Sequence, residues 1–348
     1  MKKNYLFYIS ENYSFQILRP LQKEILARGD EVKWYVAGSK VNVDYFNKDE
    51  SVVGSIEDCV DYNPVAVFVP GNMVPSFIPG IKVSVFHGFV GWKTRQKDNV
   101  NYHFIIRDCF DLYCTHGPTS TAPFKQLEHK HKNFSVVETG WCKMDPYFKE
   151  TPKQRAEKKK KIVLFSSTFS PRLTQAPALK EKIMALSEQG KYHWLITFHP
   201  KMSAEIVESY KAIQHDNLTF IETDNLVPYM QQADVMLGDY SSMITDFLVL
   251  GKPAVTFNND GFITGLKNVE SIDELESAID DALTYPDEMM NVINRYASAA
   301  HPYRDGQSSS RVLEAVDSFL NYNPVSKRKP LNLIRNLKAR KSLNYWRL

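Results

Sequence analysis

No run of 18 or more apolar residues occurs in this 348-residue chain, so no helix of it is expected to span a membrane. The opening MKKNYLFYIS lacks the long apolar core and small-residue cleavage site of a secretion signal, because Ser10, Glu11 and Asn12 interrupt it. It reads as a first β-strand instead. The four cysteines, Cys59, Cys109, Cys114 and Cys142, form no C-x-x-C pair. That spacing excludes the usual zinc frameworks, and with no export signal the thiols are expected to be reduced, in the cytosol. No acidic cluster of metal-binding type stands out. No cofactor is therefore expected to be required, although a divalent cation can accompany a diphosphate. Two segments are defined by what they lack. ETPKQRAEKKKK (150–161) has almost no apolar side chains and reads as an interdomain connection. Residues 327–348 hold eight Lys/Arg and no Asp or Glu. With +3 overall and +8 in that tail, the remaining body carries about −5. An acidic body with no nucleic-acid motif argues against nucleic-acid binding.

The composition that is present, 43% hydrophobic and 12% aromatic, belongs to a folded chain. Strand and helix signals alternate along it. Strands are expected at 4–10, 31–38, 65–71, 81–88, 111–117 and 135–140, then at 161–169, 192–200, 217–223, 234–239 and 253–259. Helices are expected at 15–28, 177–190, 203–214 with Ser203 as N-cap, 226–233 and 241–250. Such alternation implies parallel sheets, because each crossover must return across its sheet. The fold class is therefore α/β, with two Rossmann-like domains facing a cleft. The expected division is an acceptor-side domain over 1–150, a nucleotide-binding domain over 151–325 and a basic amphipathic tail over 326–348.

Five polar constellations fall at expected strand ends, where ligands of such sheets bind. In MLGDYSSMITDF, Asp239, Ser241 and Ser242 sit between a strand and a helix. Unpaired N–H groups and hydroxyls at a helix start suit a phosphate, although simple capping by Asp239 or Ser241 explains them equally. Asp246 is placed either to meet a ribose or to lie on the surface. In FHPK, His199 and Lys201 can clamp a phosphate, with His199 as an acid. FSSTFS offers Ser167 and Thr168 as phosphate ligands or as turn caps. In VFHGFVGWK, His87 and Gly88 end a strand, with Lys93 beyond, and His87 is placed to deprotonate an acceptor hydroxyl. In DGQSSSR, Arg311 can reach a phosphate or pin the last helix.

Taken in order, these elements resemble the CDP-glycerol glycerophosphotransferase family, enzymes that prime or polymerise teichoic acids on a two-domain GT-B fold. His87-Gly88 with Lys93 resembles its H-G-x-P-x-K element, and Gly140-Trp141-Cys142-Lys143-Met144-Asp145 its G-x-P-R-x-D element. His199-Pro200 resembles its H-P. Asp239-Tyr240-Ser241-Ser242 with Asp246, then Lys252-Pro253, resembles D-Y-S-S-x-x-x-D and K-P, and Asp305-Gly306 with Arg311 its closing element. The chain departs from the pattern at Phe89-Val90, at the displaced Lys93 and at Cys142. The resemblance implies a CDP-glycerol or CDP-ribitol donor held by Ser167, Thr168, Lys201, Asp239, Ser241, Ser242, Asp246 and Arg311. It implies a glycan or lipid-linked acceptor near Gly88 and Lys93, with His87 as base and His199 on the diphosphate. A nucleotide-sugar transferase of the same fold and an inactive fold member used in assembly are the competing readings. A basic tail with Leu331, Ile334, Leu337 and Trp346 suits an anionic membrane surface, and with a lipid-linked acceptor a peripheral place at the inner face of a bacterial membrane, but a helix packed on the other domain or a disordered tail explains the pattern equally.

Overall fold

The computed structural model describes residues 2–91, 94–95, 100–149, 160–223, 225–259, 266–322 and 324–347. Lys93 and most of the expected connection, residues 150–159, lie outside the described residues.

The chain forms two compact units, one of Met1–Lys149 with Ala300–Leu348 and one of Glu150–Ala299. The first unit contains β1 (Asn4–Ile9), β2 (Glu31–Val36), β3 (Ala66–Val69) and β4 (Ile81–Ser84). A short antiparallel pair follows, β5 (Thr94–Arg95) and β6 (Val100–Asn101), then β7 (Leu112–Thr115) and β8 (Ser135–Glu138). Its six-stranded sheet runs β2-β1-β3-β4-β7-β8, every pair parallel. The second unit contains β9 (Lys161–Ser166), β10 (Tyr192–Ile196), β11 (Leu218–Phe220), β12 (Val235–Gly238), β13 (Ala254–Phe257) and β14 (Lys267–Val269). Its sheet runs β11-β10-β9-β12-β13-β14, again all parallel. The α/β class and the two Rossmann-like sheets agree with the sequence reading.

Parallel strands covered on both faces need apolar side chains on both faces. AVFV of β3 and VMLG of β12 are buried at every position. Phe7 of β1 meets Trp34 of β2 edge-on at 4.8 Å and Phe68 of β3 at 5.9 Å. The strand order reverses between β1 and β3 in one sheet and between β9 and β12 in the other. At such a switch point neighbouring crossovers leave in opposite directions and open a crevice beyond the strand ends.

The expected domain division needs one correction. From Ala300 onward the chain rejoins the first unit rather than staying with the second to residue 325. The cause is a long-range cap: the carboxylate of Asp145 accepts the backbone N–H groups of Ser308 and Ser309, both at 2.8 Å, at the start of the helix Ser308–Tyr322. Those N–H groups have no partner inside their own helix, and an acidic cap also suits the helix dipole. Lys3 and Arg28 fasten the same helix through Asp317 and Ser310. The tail is likewise part of this unit. It contains the helix Leu333–Ser342, and Tyr345 is buried against Phe77 with ring centroids 4.6 Å apart. Among the described residues no helix is long and apolar enough to cross a membrane.

Candidate functional site

The switch point of the second unit lies where Gly238 ends β12 beside Ser166, the last residue of β9. A Cβ on Gly238 would stand 2.8 Å from the Ile244 side chain. Only glycine lets the helix Met243–Val249 fold back so closely over the strand end. Asp239 follows, fully buried. Its carboxylate accepts the Ser167 hydroxyl, the Thr168 N–H at 2.8 Å and the Gln175 N–H at 2.9 Å. Its backbone carbonyl accepts the Asn259 side-chain amide at 2.6 Å. Burial raises the pKa of Asp239, and the hydrogen bonds that its carboxylate accepts draw it back only in part. A buried carboxylate is tolerable only with such donors.

This arrangement corrects two expectations. Asp239 and Ser167 bond to each other and to the protein, and the Ser167 hydroxyl also meets Thr174 Oγ1 at 2.8 Å. Both side chains thus position loops instead of presenting free groups to a donor. The loops after β9, β12 and β13 are held together by one acid.

Other groups remain at the edge of this crevice. Ser241 lies 3.3 Å from Ser166, hydroxyl to hydroxyl, and accepts the Met243 N–H at 3.4 Å. Ser242 is the N-cap of the helix, exposed, and its side chain makes no capping bond. Thr168 is half-buried. Asp246 is 6% exposed, which excludes a surface acid, and its charge reaches Tyr296, whose phenol burial keeps protonated.

His199 follows β10 and is exposed. Its Nδ1 accepts the Lys201 N–H at 3.0 Å, so in the neutral ring the proton sits on Nε2 and that nitrogen donates. The ring lies 4.5 Å from Phe169, and the Lys201 ammonium stands 5.8 Å from the same phenyl. His199 and Lys201 therefore meet the loop after β9, in which the exposed Phe169 escaped the sequence reading.

In the first unit, His87 stands just beyond β4. Its Nδ1 lies 3.1 Å from the carbonyl of Pro70, which can only accept, so Nδ1 carries the proton and Nε2 is the basic nitrogen. Pro70 follows β3, so this bond anchors His87 to the switch-point side of the sheet. The ring stacks on Tyr13 at 5.2 Å. Although His87 is exposed, crowding by protein lowers its pKa, against the pull of the carbonyl. The residue before it, Phe86, has φ +56°, a left-handed conformation costing roughly 1–2 kcal/mol for an ordinary residue. Packing against His103, His116 and Phe124 at 5.0–5.3 Å holds Phe86 there. Gly88 sits in open space.

Arg311 also needs correction. It lies in the first unit, and its bonds match the reading in which it pins the last helix. Its guanidinium pairs with both oxygens of Asp305 at 2.8 and 3.0 Å, donates to the Thr139 carbonyl at 2.8 Å and stacks over Tyr303 at 4.0 Å. This pair depresses the Asp305 pKa to about 2. The segments 140–145 and 305–311 form one clasp. Gly140 has φ +79°, and a Cβ there would lie 2.5 Å from the Ser308 hydroxyl. The Trp141 N–H donates to His301 Nε2 at 2.9 Å. Beside the clasp His116 stacks on Trp141 at 4.9 Å and is buried. Burial lowers the pKa of His103 and His301 to about 4 and holds that of His116 well below the ordinary imidazole value. The signal for His116 in the sequence is a second strand-end His-Gly pair, His116-Gly117 after β7.

Comparison with known proteins agrees with this architecture. The wall teichoic acid polymerase TagF superposes with a TM-score of 0.64 at 13% identity, over 92% of this chain and 90% of that one. A UDP-GlcNAc 2-epimerase from Neisseria meningitidis superposes with a TM-score of 0.58 at 13% identity, over 90% and 100%. Both likenesses concern the fold. In sequence, the teichoic acid glycerol-phosphate primase of Bacillus subtilis (strain 168) is 23% identical over 244 residues, 65% of this chain and 62% of the relative. The teichoic acid ribitol-phosphate polymerase TarL of Staphylococcus aureus is 27% identical over 224 residues, 55% of this chain and 38% of the relative. The chain thus spans less than two thirds of the length of these relatives. The model of the CDP-Glycerol:Poly(glycerophosphate) glycerophosphotransferase family matches residues 93–318, well over half of the chain, and the chain belongs to that family.

Proposed function

We propose that this protein transfers a polyol phosphate, glycerol phosphate first, from a CDP-polyol to a hydroxyl of a glycan or lipid-linked acceptor. The acceptor oxygen attacks the phosphorus that bears the polyol, the bond from that phosphorus to the bridging oxygen breaks, and CMP leaves. The acceptor proton passes to Nε2 of His87. Family membership and the teichoic-acid relatives support this reaction.

The observation that carries the residue assignment is the opposite hydrogen bonding of two histidines. His87 commits Nδ1–H to a carbonyl and keeps a basic Nε2, as a general base requires, whereas His199 commits Nδ1 as acceptor and presents an Nε2–H donor. The crowding that lowers the His87 pKa keeps that ring neutral near pH 7. His199, Lys201, Thr168 and the hydroxyls of Ser241 and Ser242 are assigned to the diphosphate, and Asp246 to the ribose side. Catalysis of this kind is mostly positioning and charge stabilisation. Asp239 and Ser167 serve it by holding the loops.

The tail is assigned to an anionic membrane surface, at the inner face of the bacterial membrane where a lipid-linked acceptor would be met. Its helix Leu333–Ser342 turns Leu333, Ile334 and Leu337 outward, beside Lys338 and Lys341. The test is nucleotide release from CDP-glycerol, CDP-ribitol and UDP-sugars with candidate acceptors present. Release of CMP with an acceptor is expected, and release of UDP alone would overturn the proposal in favour of a sugar transferase.

A further inference from the structure

In the first unit the crevice beyond the strand ends opens between the loops after β1 and β3, where the strand order reverses. Each of these loops supplies one contact to His87. The Pro70 carbonyl, after β3, accepts from Nδ1 at 3.1 Å. Tyr13, after β1, lies against the face of the ring, with centroids 5.2 Å apart and planes 23° from parallel. The two contacts do different things. A single hydrogen bond fixes the tautomer but leaves the imidazole able to swing about the Nδ1···O line. A second ring on its face opposes that swing, because offset stacking holds two planes together.

The backbone that carries Tyr13 is held on both sides. Glu11 pairs with Lys40 at 2.9 Å, the Asn12 side chain accepts the Asn42 N–H at 2.7 Å, and Ser14 and Phe15 are buried at the start of the helix Ser14–Ala27. The Tyr13 side chain is 37% exposed and stands outside the core. An exposed tyrosine is ordinary in itself; the ring it covers sets this one apart. Burial and the Glu11 charge push its phenol up to about 12, so Tyr13 presents a neutral ring and is no base of its own. The second unit repeats the device. Phe169 stands in the loop after β9, a strand at that sheet's switch point, and its ring lies 4.5 Å from that of His199.

We propose that Tyr13 is a positioning residue for the transfer: it fixes the plane of the His87 ring, and with it the direction of the Nε2 lone pair, and keeps water from one face of that ring. This rests on the reading of His87 as general base. The charged groups around His87 are Glu11 and Arg107, and its titratable neighbours are His103 and His116. None of them is removed by a substitution at Tyr13, so a change in the titration of His87 reports the lost cover. Burial is the main cause of the low His87 pKa. With one face uncovered it should rise toward the ordinary imidazole value of about 6.5. A base works only unprotonated, so the acid limb of kcat/KM then moves to higher pH.

The test pairs CMP release from CDP-glycerol by the full chain, over a pH series and with an acceptor that supports turnover, with NMR of the histidine rings. The His87 signal is the one lost in His87→Gln. Tyr13→Ala should melt normally, keep its KM for CDP-glycerol and lose up to about 10²-fold in kcat, as when a reacting group drifts by about 1 Å. Its His87 signal should titrate at higher pH than in the unaltered chain. Tyr13→Phe retains the ring and should restore most of both. Tyr13→Ala/His87→Ala should be no slower than His87→Ala alone, because the tyrosine acts only through the imidazole. Tyr13→Ala turnover within twofold of the unaltered chain, or an unmoved His87 signal, would overturn the positioning role. Equal loss in Tyr13→Phe, or a further loss in the double variant, would overturn it as well. Near-normal turnover of His87→Ala would instead bring down the base assignment, and this inference with it.

Discussion

In the second unit the loops leaving β9, β12 and β13 are tied through one buried residue, Asp239, whose carboxylate accepts from Ser167, Thr168 and Gln175 and whose backbone carbonyl accepts from Asn259. In the first unit the loop after β4 is held by a carbonyl and by rings: Pro70 on His87, Tyr13 beneath it, and a strained Phe86 packed among His103, His116 and Phe124. The two crevices are equivalent in topology and opposite in chemistry. A polar, cross-tied edge suits an anion, because its dipoles are oriented before the charge arrives. An aromatic edge with neutral imidazoles suits an uncharged hydroxyl, because it leaves a base unprotonated near pH 7.

The contrast can be broken most directly at His87. His87→Ala should melt normally and lose about 10²–10⁴ in kcat, the usual contribution of a placed base. Near-normal turnover would remove His87 from the chemistry. In the other unit, Asp239→Ala strands the hydroxyl of Ser167 and the N–H groups of Thr168 and Gln175 in a buried place. The expected loss is about 3–5 kcal/mol of unfolding free energy, read by denaturant titration. If instead KM for the CDP-polyol rose with stability unchanged, Asp239 would belong among the ligand groups.

The donor role of His199 is sharpened by two substitutions. His199→Ala should cost on the order of 10²-fold in kcat, as for one preorganised donor, and His199→Gln should restore part of it because an amide N–H can replace Nε2–H. Equal loss in both variants would point to the ring, through its contact with Phe169, and not to its proton.

The smallest expected effect is one of pH. His103 and His301 have folded pKa values lowered to about 4 by burial. Their contribution to stability is present in full above the unfolded value of about 6.5 and is lost as pH falls from there toward 4, because the unfolded chain binds the protons first. Between pH 7 and pH 6 the loss should be on the order of 1 kcal/mol for the pair. Denaturation of the His301→Gln variant should show a shallower slope over that range.

Much of the architecture was readable without coordinates. The strands expected at 65–71, 81–88 and 234–239 are β3, β4 and β12, because continuous apolar runs bounded by polar residues have few other uses in an alternating chain. Ser203 caps the helix Ala204–Lys211 and accepts the Ile206 N–H at 3.4 Å, a signal carried by neighbours in sequence. The basic tail, its helix and its outward aliphatics were likewise visible from spacing. The two readings of Arg311 could not be separated from sequence, because its partners, Asp305 and Thr139, stand 6 and 172 residues away, and only the nearer one is suggested by the motif. The boundary at residue 325 failed for the same reason, since nothing local to Ser308 announces that Asp145 will cap it.

The sequence alone determined where chain direction alternates, which segments must be covered on both faces, and which polar residues stand at strand ends, since these follow from the period of apolar residues and from composition. Tertiary structure alone decided which of those polar residues face one another. Ser167 and Asp239 are 72 positions apart, and Asp145 and Ser308 are 163 apart. The physical reason is that a buried polar group must find a partner wherever the fold brings one, and that partner, not the residue type, determines whether the group is left to act on a ligand or is spent holding the protein together.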